Sequence, residues 1–340
     1  MAFAARVQRS ALAALAGGAI AAGCGGAGGG GATGATSSGS ATAPPSSAAP
    51  AGAAGTPAGA RAITVVRRRR LGPRLEEWTL RTPALSGPTR VRVLLPAGYR
   101  SDATRRWPVL YLLHGADSDD TSWTRFGDAQ RITAHAPMIV VMPDGGAQGW
   151  YTDWYAGDRT VPPRWETYHV GELVPWIDAT YRTVAAKRGR AIAGLSMGGY
   201  GALSYAARHP GTFAAAASFS GALEIGSEDA WGPRSANEAR WRAHLPISMA
   251  SRLRSLALVE IRTGNGRPGP LDRPATQPGC PACSLERFLH PANVRLHQRL
   301  QALGIRHVWD DYGPGTHDWP YWRRDLRETL PGLERVLARS

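Results

Sequence analysis

Lysine is nearly absent from this 340-residue chain: of its 40 basic residues only Lys187 is one, so the formal charge of +14 rests on arginine. No helical stretch interleaves basic with aromatic residues, which excludes a nucleic-acid groove reader. The runs at 67–70 and at Arg105-Arg106 read as solvated surface of the kind that attracts anionic head groups or cell-wall polymers. Three cysteines are too few for a disulfide-built scaffold. Cys280-Pro-Ala-Cys283 meets no second Cys-x-x-Cys and no close histidine pair, so a tetrahedral zinc site is not expected. Asp117-Ser-Asp-Asp120 lacks the glycine and glutamate spacing of a calcium loop and reads as a polar turn. No metal and no cofactor are therefore expected. Internal repeats are also missing.

Long hydrophobic runs are scarce as well. The alanine-rich run at 11–22, behind Arg6 and Arg9, is too short to span a bilayer and reads as the core of a signal peptide over residues 1–24. It ends Ile20-Ala-Ala-Gly-Cys24, which resembles a bacterial lipobox, with Ala21 where leucine is usual. The resemblance implies lipidation of Cys24, with plain cleavage and release as the alternative. Residues 25–60 are almost entirely Gly, Ala, Ser, Thr and Pro without charge, a composition that buries no core and serves as a tether. The expected location is extracytoplasmic, lipid-anchored or secreted, with membrane contact only through the anchor.

From residue 61 to 340 the composition becomes that of one catalytic domain of roughly 280 residues, ample for a large core. Segments 77–82 and 89–95 read as an antiparallel pair. Runs at 107–113, 137–142, 190–193, 213–219, 256–261 and 305–310 are apolar strands, separated mostly by helical stretches such as 166–181, 200–208 and 285–303. That alternation predicts an α/β fold with a mainly parallel, doubly wound sheet, its active groups on loops at the strands' carboxyl ends.

Gly194-Leu-Ser196-Met-Gly198 joins one such strand to a helix, the strand–turn–helix of a nucleophile elbow. Ser196 needs a base, and in this architecture the order is serine, acid, histidine. His317, on a loop between the last strand and the terminal helix, fits the base. Asp272 and Glu286 both fit the acid, and chain order does not separate them. The oxyanion hole calls for the amide of Met197 and that of Ala116, on the loop after the strand ending Leu112-Leu-His-Gly-Ala116, where His114 shapes the hole.

These residues resemble the esterase group of α/β-hydrolases that includes esterase D-like enzymes, feruloyl esterases and the secreted mycolyltransferases of mycobacteria. The resemblance covers roughly residues 107–330. It is most specific at Val141-Met-Pro-Asp-Gly-Gly146 with Trp150-Tyr-Thr-Asp-Trp-Tyr155, at Arg164-Trp-Glu-Thr-Tyr168 with Glu172-Leu-Val-Pro-Trp176, at Thr263-Gly-Asn-Gly-Arg267, and at Gly315-Thr-His-Asp-Trp-Pro-Tyr-Trp322. It implies an α/β-hydrolase fold and a glutamate as triad acid, which favours Glu286 over Asp272. It also implies that Trp319 and His114 border the substrate. Where the mycolyltransferases place an aspartate and an arginine at the trehalose site, this chain has His114 and Asp117, the pattern of ordinary esterases. The expectation is an exported serine esterase acting on a small-molecule, lipid or sugar ester, with an acyltransferase as the alternative. Cys280 and Cys283 are expected to form a disulfide clamping the loop ahead of Glu286.

Overall fold

The computed structural model describes residues 58–272 and 279–338; the expected leader, Cys24 and the expected linker up to residue 57 lie outside them. The chain enters through a short helix, α1 (Ala58–Ala62), where the tether was expected to run on to residue 60. Ala60 is 5% exposed, so packing of the domain begins ahead of the expected boundary.

Among the described residues nine strands form one sheet: β1 (Thr64–Arg70), β2 (Leu75–Arg81), β3 (Thr89–Leu94), β4 (Val109–Leu113), β5 (Ile139–Pro143), β6 (Arg190–Leu195), β7 (Ala215–Phe219), β8 (Leu258–Thr263) and β9 (Val308–Asp311), in the spatial order β1-β2-β3-β5-β4-β6-β7-β8-β9. The first three are antiparallel, β3 meets β5 antiparallel, and β4 to β9 pair in parallel. This is the mainly parallel α/β-hydrolase sheet read from the sequence. Sequence reading passed over β1, because its four consecutive arginines show no apolar period; all seven of its residues are exposed on the sheet's edge.

The continuous apolar runs arise because both faces of the parallel strands are covered. Val109, Tyr111 and Leu113 of β4 join one core cluster, Leu110 and Leu112 the other. The first face is covered by α5 (Met197–Arg208) and α8 (Pro281–Ala302), which contribute Leu203 and Ala206, and Leu289 and Leu296. The second is covered by α9 (Trp319–Leu337) through Leu326, Leu330 and Leu333. Shorter helices fill in: α2 (Ser122–Arg125), α3 (Ala129–Ile132), α4 (Val174–Thr180), α6 (Glu228–Trp231) and α7 (Arg234–His244).

The stretch predicted as one helix over 166–181 is a wider π-turn, Thr167–Leu173, running into α4. At its centre His169 takes part in hydrogen bonds with the Tyr205 hydroxyl and the Asp144 carbonyl, both at 2.9 Å, tying the loop after β5 to α5. Burial pushes its imidazole down to about 4. No helix among the described residues is long and apolar enough to cross a membrane.

Candidate active site

Ser196 stands between β6 and α5 with φ 54° and ψ −120°, a conformation costly for a non-glycine residue. The flanking backbone over-determines it. Its amide donates to the Phe219 carbonyl at 2.9 Å, and its carbonyl accepts from Ala222 and Tyr200 at 3.0 and 3.1 Å. Both elbow glycines are required by close approach: a Cβ on Gly194 would stand 2.3 Å from the Gly198 carbonyl oxygen, and one on Gly198 2.5 Å from that of His114.

His317 lies on the loop between β9 and α9. Its Nε2 is 2.9 Å from Ser196 Oγ, and its Nδ1 is 2.7 Å from Glu286 Oε2. A carboxylate at Nδ1 fixes the tautomer with the proton there, which leaves Nε2 as the acceptor facing the serine hydroxyl. The ring edge meets Trp322 at a centroid distance of 4.9 Å and 87° between planes, which limits its rotation. The loop backbone is latched by Asn265 N–H to the Gly313 carbonyl at 2.8 Å, Gly266 N–H to that of Gly315 at 3.0 Å, and His317 N–H to that of Ala282 at 3.1 Å.

Glu286, in the second turn of α8, is fully buried. Its Oε1 accepts from the Ser220 hydroxyl at 2.8 Å, the Thr263 hydroxyl at 2.9 Å and the Gly264 amide at 2.9 Å. The carboxylate therefore acts only as an acceptor, with each oxygen aimed. Sequence reading had not found Ser220 and Thr263. Their signal is positional: hydroxyl residues followed by glycine, one just past β7 and one ending β8.

Asp272 does not meet His317 through a hydrogen bond. It accepts from the Thr316 and Tyr321 hydroxyls and from the Gly269 amide, the last at 2.7 Å. It thus braces the histidine loop from outside. Gly115 brings the loop after β4 against the nucleophile, since a Cβ there would stand 3.3 Å from that of Ser196. The next residue is Ala116; across the site, the amide of Met197 is among the first four of α5 and has no partner within the helix.

His114 was expected to border the substrate. It is 1% exposed and both ring nitrogens meet backbone, Nδ1 the Gly115 carbonyl at 2.7 Å and Nε2 the Gly145 amide at 2.8 Å. It joins the loops after β4 and β5. Trp319 is likewise packed inward, 9% exposed, against Trp123, Phe126 and Trp322. The acidic turn at 117–120 is occupied by Arg90, whose Nε donates to Asp120 at 2.9 Å, while burial pushes that carboxyl up to about 6. Among the described residues no cluster of three or more His, Cys, Asp or Glu is placed to hold a metal. Cys280 and Cys283 are joined by a disulfide ahead of Glu286.

Residues 82–333 match the family model described as "Putative esterase". The chain belongs to the esterase family. Over 264 residues this esterase-family chain is 32% identical to the diacylglycerol acyltransferase/mycolyltransferase Ag85B of Mycolicibacterium smegmatis, covering 68% of this chain and 77% of the relative. It is 46% identical over 164 residues to an esterase of Mycobacterium tuberculosis, covering 48% of this chain and spanning only 36% of that relative's length. Among solved structures it resembles a ferulic acid esterase with a TM-score of 0.61 at 26% identity, covering 77% of this chain and 98% of the other. The S-formylglutathione hydrolase of Agrobacterium tumefaciens, at a TM-score of 0.64 and 17% identity over 80% of this chain and 99% of the other, shares the fold.

Proposed function

We propose that this protein is an exported serine esterase that works through Ser196, His317 and Glu286 and an acyl-enzyme. The reading rests on the relay of 2.9 and 2.7 Å from hydroxyl to imidazole to buried carboxylate. As the Ser196 oxygen attacks the ester carbonyl, its proton passes to His317 Nε2, and Glu286 stabilises the imidazolium through Nδ1–H. The amides of Met197 and Ala116 receive the charge that develops on the carbonyl oxygen. His317 then protonates the departing alcohol. Water, deprotonated by the same imidazole, releases the acid and restores Ser196. Export rests on the leader-like residues 1–24, with Cys24 as the anchor point.

A second reading replaces water by a sugar or glycerol hydroxyl, and the 32% identity to a mycolyltransferase over most of the domain favours keeping it. The two differ in the acceptor alone. Adding glycerol or trehalose during turnover tests them: hydrolysis leaves the free acid as sole product, whereas transfer yields an acylated alcohol in proportion to acceptor concentration.

A further inference from the structure

The Cys280–Cys283 disulfide stands where the acid and the base of the site are tied together. Cys280 precedes α8 and its Sγ accepts from the Cys283 amide at 3.2 Å. Between the cysteines lies Ala282, whose carbonyl accepts the His317 amide at 3.1 Å. The i→i−4 ladder of an α-helix assigns that same carbonyl to the amide of Glu286. One carbonyl inside the disulfide loop thus holds the backbone of both residues. Nor is there slack around it. A Cβ on Gly266 would stand 2.4 Å from the Cys283 carbonyl oxygen and 2.6 Å from the Arg287 nitrogen. The loop from Gly264, which donates to Glu286, is therefore packed directly on this first turn.

A cross-link of sequence separation 3 removes less entropy from the unfolded chain than a longer one would. Its effect belongs to the local geometry. Resting on the esterase reading above, we propose that the Cys280–Cys283 bridge is a positioning element of the active site. Oxidised, it fixes the first turn of α8 so that Ala282 keeps His317 in line with Glu286. Reduced, the turn loosens and turnover falls while the domain stays folded. A dithiol supplies the electrons: its thiolate attacks the half-buried Cys280 Sγ and displaces Cys283, 4% exposed, as a thiolate that takes up a proton. Its second thiol then attacks the mixed disulfide and frees Cys280. The reductant leaves as a disulfide, and the protein gains two thiols.

The test equilibrates the full-length chain in dithiothreitol buffers of graded redox ratio. Free thiols, p-nitrophenyl ester turnover and backbone amide exchange by mass spectrometry are followed together. As two thiols appear beyond those of the oxidised protein, kcat should fall about tenfold or more while KM stays within about twofold. Exchange at the His317 amide should quicken, with circular dichroism unchanged. The double variant Cys280→Ser/Cys283→Ser should match the reduced protein and ignore reductant. Reduced protein with undiminished kcat and unchanged exchange at His317 would overturn the proposal, as would a loss of activity that accompanies global unfolding. If the oxidised protein shows no Ser196-dependent turnover, the esterase reading fails alone, and amide exchange still decides the role of the bridge.

Discussion

Thr316, the residue ahead of His317, donates its hydroxyl to the Asp272 carboxylate. Asp272 therefore reaches His317 through the backbone, whereas Glu286 reaches it through the ring at 2.7 Å. Glu286→Gln should lower kcat on the order of a thousandfold, because an amide cannot stabilise the imidazolium. Asp272→Asn keeps the size of the brace and should cost about tenfold or less. Steady-state kinetics of both variants check this, and the reverse ranking would remove Glu286 from its role.

Ser220, at φ 47°, is one of three donors to Glu286 Oε1. Ser220→Ala leaves the other two and should reduce kcat about tenfold, the scale of one hydrogen bond to a charged group, with KM little changed. A variant indistinguishable from the wild type would show that Thr263 and Gly264 suffice to orient the carboxylate.

The elbow was legible because its determinants are local. Two glycines, an apolar strand and the following helix are contiguous in sequence, and they mark Ser196 without any distant partner. His317 was legible from chain order. Chain order left the acid open, since Asp272 and Glu286 both follow β8; the family resemblance favoured Glu286, and its contacts with Ser220 and Thr263, at the ends of β7 and β8, come from tertiary packing of α8. The burial of His114 was not legible for the same reason, since its partner at Gly145 arrives from a loop 31 residues away. β1 escaped notice because a solvent-facing edge strand needs no apolar alternation, and Arg67 to Arg70 shows none.

Gly198→Ala separates helix propensity from sterics. Alanine in α5 should help by about 1 kcal/mol. The added Cβ would meet the His114 and Leu113 carbonyl oxygens at 2.5 and 2.6 Å, and backbone cannot turn aside. Net destabilisation of about 2–3 kcal/mol is expected from the urea midpoint; unchanged or raised stability would contradict the close approach.

Burial pushes His169 and His244 each down to about 4. Both take up a proton more readily unfolded than folded, so stability should be full above about pH 6.5 and decline as pH falls toward 4. For His169 the gap from an ordinary histidine amounts to roughly 3 kcal/mol at its limit. Urea midpoints at pH 7 and pH 5 should differ, and His169→Gln should narrow the difference. Equal midpoints in the wild type would exclude a buried neutral imidazole at the π-turn.

The most direct test of the serine mechanism is hydrolysis of p-nitrophenyl esters from acetate to palmitate by the full-length chain, beside Ser196→Ala. A rate that falls about a thousandfold or more in the variant is expected, with a chain-length optimum that sizes the acyl site. A folded protein whose rate is the same with and without the Ser196 hydroxyl would contradict it.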